Sequence, residues 1–523
     1  MTASVTRPGT SGATAGGPVC WQASTAIATG SRSASAPRRS RLERDSLGTK
    51  PVPARALYGI FTERARETFA LTGQPPHPAL LRAYARIKRA AAVANGRLGL
   101  LPPRWVRAIV AAADEVIAGR IDDVRVLDAL QAGAGTPTHM NVNEVLANVA
   151  NERLGGRRGR WQPIHPNNHV NLGQSSNDVT PTAVRLMALE LREPLLAEID
   201  AAARVLRRLA RREARTVKPG RTHLQDAVPI TYGQVFGGWA DALAGGGAAL
   251  RTATGELSVI ALGGTAVGTG ITAHPRFAAT VARELSRLVR VRLTPAPNPA
   301  TTIWSLRPLA ACTAALRGLA VDVAKICMDL RLLASGPHTG LAELVLPEVE
   351  PGSSIMPGKV NPSIPEAVQM ACYAVSGRDH TVALAAAAGE LELNVMTPLV
   401  AWSVGESFDL LTRALALLRG RCLDGLRVDR ARVRALVDGS VIEATGLSPV
   451  LGYEVTAEVV KEAIGQRRSL RDVVRRHGLL DAGTLARLLT PERLTRPSRP
   501  DPLLVRRVQA SAPYRAYRRE KGL

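Results

Sequence analysis

Apolar residues recur at spacings of three and four through the middle of the chain. Leu309, Cys312, Leu316, Leu319, Val323, Ile326, Leu330 and Leu333 follow one another without a break. That spacing places them in one narrow stripe along a helix, suited to packing against other helices. Leu195, Ile199, Ala202, Leu206 and Leu209 repeat the pattern earlier, and Val404, Phe408, Leu411, Leu415 and Leu418 repeat it later. Three such seams predict a bundle of long helices, a geometry that subunits can share. Strand-like alternation is scarce, and residues 259–262 are the best candidate. The expected fold class is mainly α.

Composition narrows the picture. The chain has 523 residues, 46% hydrophobic and only 3% aromatic, so its core must rest on Leu, Val, Ile and Ala. No apolar run approaches the roughly 20 residues that cross a bilayer, so no membrane role is expected. The net charge of +24 comes mostly from Arg scattered along the chain. These arginines are not interleaved with base-stacking aromatics, which argues against nucleic acid as a partner and leaves a small anionic substrate. Cys20, Cys312, Cys327, Cys372 and Cys422 are odd in number and show no C-x-x-C spacing. Reduced thiols in a cytoplasmic protein fit better than disulfides or a zinc site.

Four loop stretches are dense in glycine, hydroxyls and amides. They are Gly133-Ala-Gly-Thr136 followed by Met140-Asn-Val-Asn-Glu144; Gly173-Gln-Ser-Ser-Asn-Asp178; Gly220-Arg-Thr-His-Leu-Gln-Asp226; and Gly352-Ser-Ser-Ile-Met-Pro-Gly-Lys-Val-Asn-Pro362. Backbone N–H groups in glycine-rich turns form anion-holding concavities. Thr136, Ser175, Ser176, Asn177 and Thr222 add side-chain donors, Lys359 a positive charge and Asn361 an amide. Together they suit a small molecule with one or two carboxylates. No metal-ligand cluster, GxGxxG turn or Walker loop accompanies them, so no cofactor is indicated. A blander reading stands beside this one. Ser and Asn next to Gly often only cap helices, the stretch at Gln174–Asp178 above all.

The fourth stretch resembles the signature loop of the fumarase/aspartase superfamily, and the other three resemble that superfamily's remaining active-site segments in the same order. The similarity runs from about Asp45 to about Pro497. It implies a homotetramer with a central long-helix bundle, smaller N- and C-terminal domains, and sites built from three subunits. Taken with the breaks in composition, it divides the chain into a disordered leader (1–44), an N-terminal lyase domain (45–180), a central bundle carrying the signature loop (181–435), a small helical domain (436–500) and a basic tail (501–523) expected to fray. Residues 446–452 are the expected break before the small domain. The acid-poor, Ser- and Arg-bearing leader could also be a transit peptide, though a plain extension is the favoured reading.

The resemblance implies a reaction and assigns roles. A proton leaves the carbon beside a carboxylate, an aci-carboxylate forms, and a group departs from the adjacent carbon. Ser353 is the implied general base, with Lys359 assisting by its charge. Thr136, Ser175, Ser176 and Ser354 would hold the carboxylate beside the acidic carbon; Thr222, Lys359 and Asn361 would hold the other. Asn177 and His223 would face the departing group, Glu366 would orient His223, and Arg64 would lie near the substrate.

Within the superfamily, Tyr58-Gly-Ile-Phe-Thr-Glu-Arg64, Gln131-Ala-Gly-Ala-Gly-Thr136, Lys325-Ile-Cys-Met-Asp-Leu-Arg-Leu-Leu-Ala-Ser335 and Leu393-Asn-Val-Met396 resemble aspartases. Ser175-Ser-Asn177 and Gly263-Gly-Thr-Ala-Val-Gly-Thr-Gly270 resemble fumarases. The balance favours deamination of L-aspartate, with fumarate hydration second. A non-catalytic scaffold, like the lens crystallins of the superfamily, is disfavoured by the retained Ser353, Lys359, Asn361 and His223. Four residues depart from the usual pattern: Phe61 for His, His139 for Asn, Asn168 for an acid, and His338 for Arg.

Overall fold

A computed structural model of the chain describes residues 40–523. Cys20 and most of the expected leader lie outside the described residues. Ser40–Asp45 (β1) pairs antiparallel with Gly48–Pro53 (β2), so residues 40–44, expected in the leader, are a strand. The reason is Glu43, buried at the root of the hairpin. It accepts from Arg41 Nε at 2.7 Å and from the N–H of Ile60 at 3.0 Å.

Helices α1 (Ile60–Thr68), α2 (Pro78–Arg97), α3 (Pro103–Ile117) and α4 (Thr136–Arg153) pack as an N-terminal layer. Helix α5 (Ser176–Arg212) then runs 37 residues from that layer into the bundle. The expected boundary at 180/181 therefore falls inside one helix. A hairpin, β3 (Val217–Thr222) with β4 (Gln225–Thr231), leads into α6 (Tyr232–Ala253). A two-residue strand, β5 (Val259–Ile260), runs parallel to β6 (Thr294–Pro295), with α7 (Phe277–Val289) between them. The strand candidate at 259–262 is thus half realised.

Next come α8 (Pro299–Trp304), α9 (Arg307–Leu333), β7 (Leu344–Val345), α10 (Ser363–Ala387) and α11 (Thr397–Leu418). Helices α5, α6, α9, α10 and α11 each touch the next, and α11 returns to α5, which closes a five-helix bundle. All three apolar seams lie inside it. Every seam residue is buried except Leu333, which is half-buried at the end of α9. The outer faces of α9 and α10 carry exposed Val321, Met328, Met370, Tyr373 and Leu384. Cys312, Cys327, Cys372 and Cys422 are buried free thiols, and burial pushes the first, third and fourth up to about 12.

After β8 (Arg427–Val428), which pairs with β7, and α12 (Arg430–Asp438), a second and separate core forms. It is built from α13 (Ala444–Leu451), α14 (Tyr453–Gln466), α15 (Leu470–Arg476), α16 (Ala482–Leu488), α17 (Pro491–Leu494), α18 (Pro502–Gln509) and α19 (Ala512–Lys521). The break expected across 446–452 is confined to Gly452 at φ +80°, because the residues before it are helical. Nor does the stretch after 500 fray. Val508, Tyr514 and Tyr517 are buried in this second core, and Tyr514 donates to the carbonyl of Leu451 at 2.8 Å. Val508 on α18, with Tyr514 and Tyr517 one turn apart on α19, outweighs the surrounding arginines. Among the described residues no helix is long and apolar enough to cross a membrane.

Candidate active site

The site residues named from the sequence fall into three groups within one chain. The first lies where α4 and α5 begin. Gly133, Ala134 and Gly135 are successive left-handed residues at φ +74°, +52° and +82°. A Cβ on Gly135 would come within 2.7 Å of Thr180, so only glycine lets the turn sit this close to α5. Thr136 opens α4 and its hydroxyl donates to the carbonyl of Gly133 at 2.6 Å. One turn on, His139 lies 2.7 Å from the hydroxyl of Ser176, the first residue of α5. Two helix N-termini with their hydroxyls are thereby brought side by side, a setting that favours an anion.

Ser175 and Asp178 form a capping box on α5; the Ser175 hydroxyl accepts from the N–H of Asn177 at 3.2 Å, which leaves its own hydrogen free to donate. Asp178 does more. Its second oxygen accepts from the N–H groups of Gly263 and Thr265, each at 2.9 Å, and burial raises its carboxyl to about 6. Asn177 Nδ2 donates to the carbonyl of Ala266 at 2.8 Å. The Gly-rich loop 263–270 is thus fastened across the start of α5.

The second group is the β3–β4 hairpin. Thr222 pairs with Gln225, and the two-residue tip is His223 and Leu224 at φ +54° and +60°. A tip with both residues left-handed is normally given to Gly or Asn, so these side chains are held out under strain. His223 and Thr222 are exposed. The hairpin's base is anchored by Glu343, which is fully buried and takes Arg221 at 2.5 Å, Tyr232 Oη at 2.7 Å and Lys218 at 3.5 Å. Burial draws the Lys218 ammonium below the usual lysine range, against the pull of Glu343.

The third group is the loop 352–362. It closes on itself: the N–H of Gly352 donates to the carbonyl of Lys359, and Asn361 Nδ2 donates to the carbonyl of Gly352, both at 2.7 Å. A Cβ on Gly352 would stand 2.6 Å from that Lys359 oxygen. Ser353 Oγ accepts from the N–H groups of Met356 at 2.9 Å and Ile355 at 3.2 Å. Two donors aimed at one hydroxyl oxygen favour its deprotonated form. Ser354 and Lys359 are exposed beside it. Glu366, on the first turn of α10, lies 3.5 Å from Arg331.

Among the described residues no hydrogen bond or ion pair joins these three groups, and Glu366 does not meet His223 within the chain. Helix geometry explains the separation of the first two. At 1.5 Å per residue α5 is about 55 Å long. Its far end carries the hairpin, since the N–H of Gly233 donates to the carbonyl of Glu213 at 3.0 Å. From Glu213 the chain reaches Thr222 in a span of at most about 30 Å. Even folded straight back, Thr222 stays roughly 25 Å or more from Ser176.

Arg64 forms a paired contact with Asp45, at 2.8 and 3.0 Å, and lowers that carboxyl. It lines a cavity of about 640 Å³ with Phe61, Glu144, Trp161 and His165. Lys88 beneath Ser176, Asp178 in its clamping role, and Glu343 are the structural surprises. Lys88 alone had a visible signal: it sits four residues from both Tyr84 and Ala92 on the apolar face of α2, where a cation is out of place.

The profile of a family described as Lyase matches residues 48–377, and that of the Fumarase C C-terminus matches residues 444–496. The chain belongs to the fumarase/aspartase superfamily. Within this superfamily it is 43% identical over 460 residues to an aspartate ammonia-lyase of Pseudomonas fluorescens, covering 87% of this chain and 96% of that one. It is 45% identical over 453 residues to a class II fumarate hydratase of Chromobacterium violaceum, covering 86% and 98%. A crystal structure of a fumarate lyase:delta crystallin from Brucella melitensis superposes with TM-score 0.85 at 44% identity, covering 88% of this chain and all of the other. A class II fumarase from Schistosoma mansoni gives TM-score 0.83 at 35% identity, covering 87% and 98%. The fold is that of these superfamily members, and the protein is a lyase-family enzyme.

Proposed function

We propose that the enzyme deaminates L-aspartate to fumarate and ammonia. The observation that carries this reading is the closed loop 352–362, whose two backbone N–H groups point at Ser353 Oγ. In the proposed reaction Ser353, as alkoxide, takes a proton from C3 of aspartate. The C–H electron pair moves onto the adjacent carboxylate, which Ser175, Ser176, Ser354 and, once its hydroxyl turns from the Gly133 carbonyl, Thr136 stabilise as its charge grows. Each such donor contributes about 3 kcal/mol when aimed at developing charge. The pair then returns to form the C2–C3 double bond as the C2–N bond breaks and ammonia leaves past Asn177 and His223. Thr222, Lys359 and Asn361 hold the second carboxylate, while Glu366 orients the histidine. Arg64, paired with Asp45, keeps positive charge near the approach.

The three groups lie apart in one chain, so the proposal requires an assembly, a homotetramer whose pockets draw on several subunits. The exposed apolar residues on α9 and α10 offer the surface for it, since patches of that kind mark contact faces. A cytoplasmic setting goes with the free thiols. The second reading is a class II fumarase, favoured by the 45% identity to the Chromobacterium violaceum enzyme and by the fumarase-like Ser176. The two differ only in the group expelled. Incubation with L-aspartate or L-malate, followed by the ultraviolet absorbance of fumarate, separates them: product from aspartate is expected, and product from malate alone overturns the first reading.

A further inference from the structure

Ser176 is tied to two wholly buried groups that the reaction above does not use. His139 Nδ1 lies 2.7 Å from its hydroxyl, and the other ring nitrogen, Nε2, contacts Lys88 Nζ. Lys88 Nζ also donates to Asn171 Oδ1 at 2.8 Å and to Gln174 Oε1 at 2.9 Å. Those oxygens face the lysine because their NH₂ groups are committed elsewhere. Asn171 Nδ2 donates to the carbonyl of Gln174, and Gln174 Nε2 to those of Val170 and Leu172, all at 3.2 Å. Two positions on Lys88 are therefore always hydrogens. Only the third, facing His139, can change.

The change has a definite consequence. As an ammonium, Lys88 donates its third hydrogen to Nε2. The ring proton then sits on Nδ1 and points at Ser176, leaving the serine hydrogen free to point outward. As a neutral amine, Lys88 presents a lone pair and accepts from Nε2–H. Nδ1 is then bare and draws the serine hydrogen inward. One proton on Lys88 reverses the direction of the whole chain of hydrogen bonds.

The surroundings poise that proton. Burial drives Lys88 well below the usual lysine range, while Asp178 on α5 pulls the other way. His139 is held neutral by burial and by Lys88. The ring of Tyr84 stacks on it, 5.9 Å between centroids, and Asn143 Nδ2 lies 3.4 Å from Nε2. Helices α3 and α7 also pack on α2, but their acids there are engaged: Asp114 with Arg89, and Glu284 with Arg97.

We propose that Lys88 and His139 are positioning residues: protonated Lys88, acting through His139, aims the Ser176 hydroxyl at the substrate carboxylate, and neutral Lys88 withdraws it. This rests on the lyase reading, in which Ser176 holds the carboxylate beside the acidic carbon.

The test compares kcat/KM against pH for the wild type, His139→Asn and Lys88→Met, with Ser176→Ala in the wild-type and Lys88→Met backgrounds. An amide oxygen in the place of Nε2 accepts from protonated Lys88 and from Asn143 Nδ2, and the second of these keeps its NH₂ donating to Ser176 when Lys88 is neutral. His139→Asn is therefore expected to stay active and to lose an alkaline decline present in the wild type. Lys88→Met should lower kcat/KM about 100-fold, mostly in kcat, the size expected for one lost donor. Adding Ser176→Ala to it should cost little more. Superimposable profiles for wild type and His139→Asn, or additive losses in the double variant, overturn the inference while the lyase reading stands. Wild-type turnover of neither L-aspartate nor L-malate overturns that reading itself. If Lys88→Met does not fold, the His139→Asn profile decides alone.

Discussion

Ser353 shows how little chemistry one side chain brings without its neighbours. A serine hydroxyl is a weak base in water, and here two backbone N–H groups converge on its oxygen. Ser353→Ala is expected to remove nearly all turnover while leaving the assembly intact; substantial residual turnover would remove the serine from the role of base. Glu144 is the opposite case, a carboxyl serving structure. It accepts from the N–H groups of Gly59, Phe61 and Thr62 and from the Thr62 hydroxyl, and so anchors the start of α1. Burial nevertheless raises it to about 7 against those donors. The folded form thus holds this proton more tightly than the unfolded chain does. The associated stability is full below the ordinary glutamate pKa and is lost as pH rises through about 7, on the order of 3 kcal/mol in all. Thermal unfolding should show the wild type losing ground relative to Glu144→Gln between pH 5 and 8. A difference independent of pH would contradict it.

Elements carried most of what the sequence made legible. The seams on α5, α9 and α11 were readable because a helix buried on one side repeats its apolar positions at a fixed spacing. Leu316, midway along α9 and fully buried, is the simplest probe. Leu316→Ala should cost about 2–5 kcal/mol in chemical denaturation, the range for an aliphatic cavity in a packed core. The four site loops were legible as chemistry, but their supports were not. Glu343 lies more than a hundred residues from Arg221, and no local pattern announces that a carboxylate will meet a hairpin base. The β1 strand and the C-terminal helices were hidden by charge: Arg-rich stretches look solvent-bound until Glu43, Tyr514 and Tyr517 turn out to be buried within them.

At the scale of the whole molecule, one chain holds every expected site residue and brings only some of them together. The hydroxyls at the heads of α4 and α5 belong to one end, the hairpin tip to another. If pockets are completed by neighbouring subunits, two inactive variants should rescue each other. Ser353→Ala and Asn177→Ala, unfolded and refolded together, are expected to regain turnover that neither shows alone; no recovery on mixing would argue that each chain completes its own pocket.

The 37 residues of α5 have a further consequence. The helix acts as a ruler, with the Ser175–Asn177 head at one mark and the hairpin at the other. Surface loops can lengthen without disturbing that spacing, but one extra turn in α5 would shift its two ends apart by about 5 Å, and with them every pocket that the proposed assembly builds from both. The chain's tolerance for insertions should therefore be lowest in the middle of that helix, far from either end.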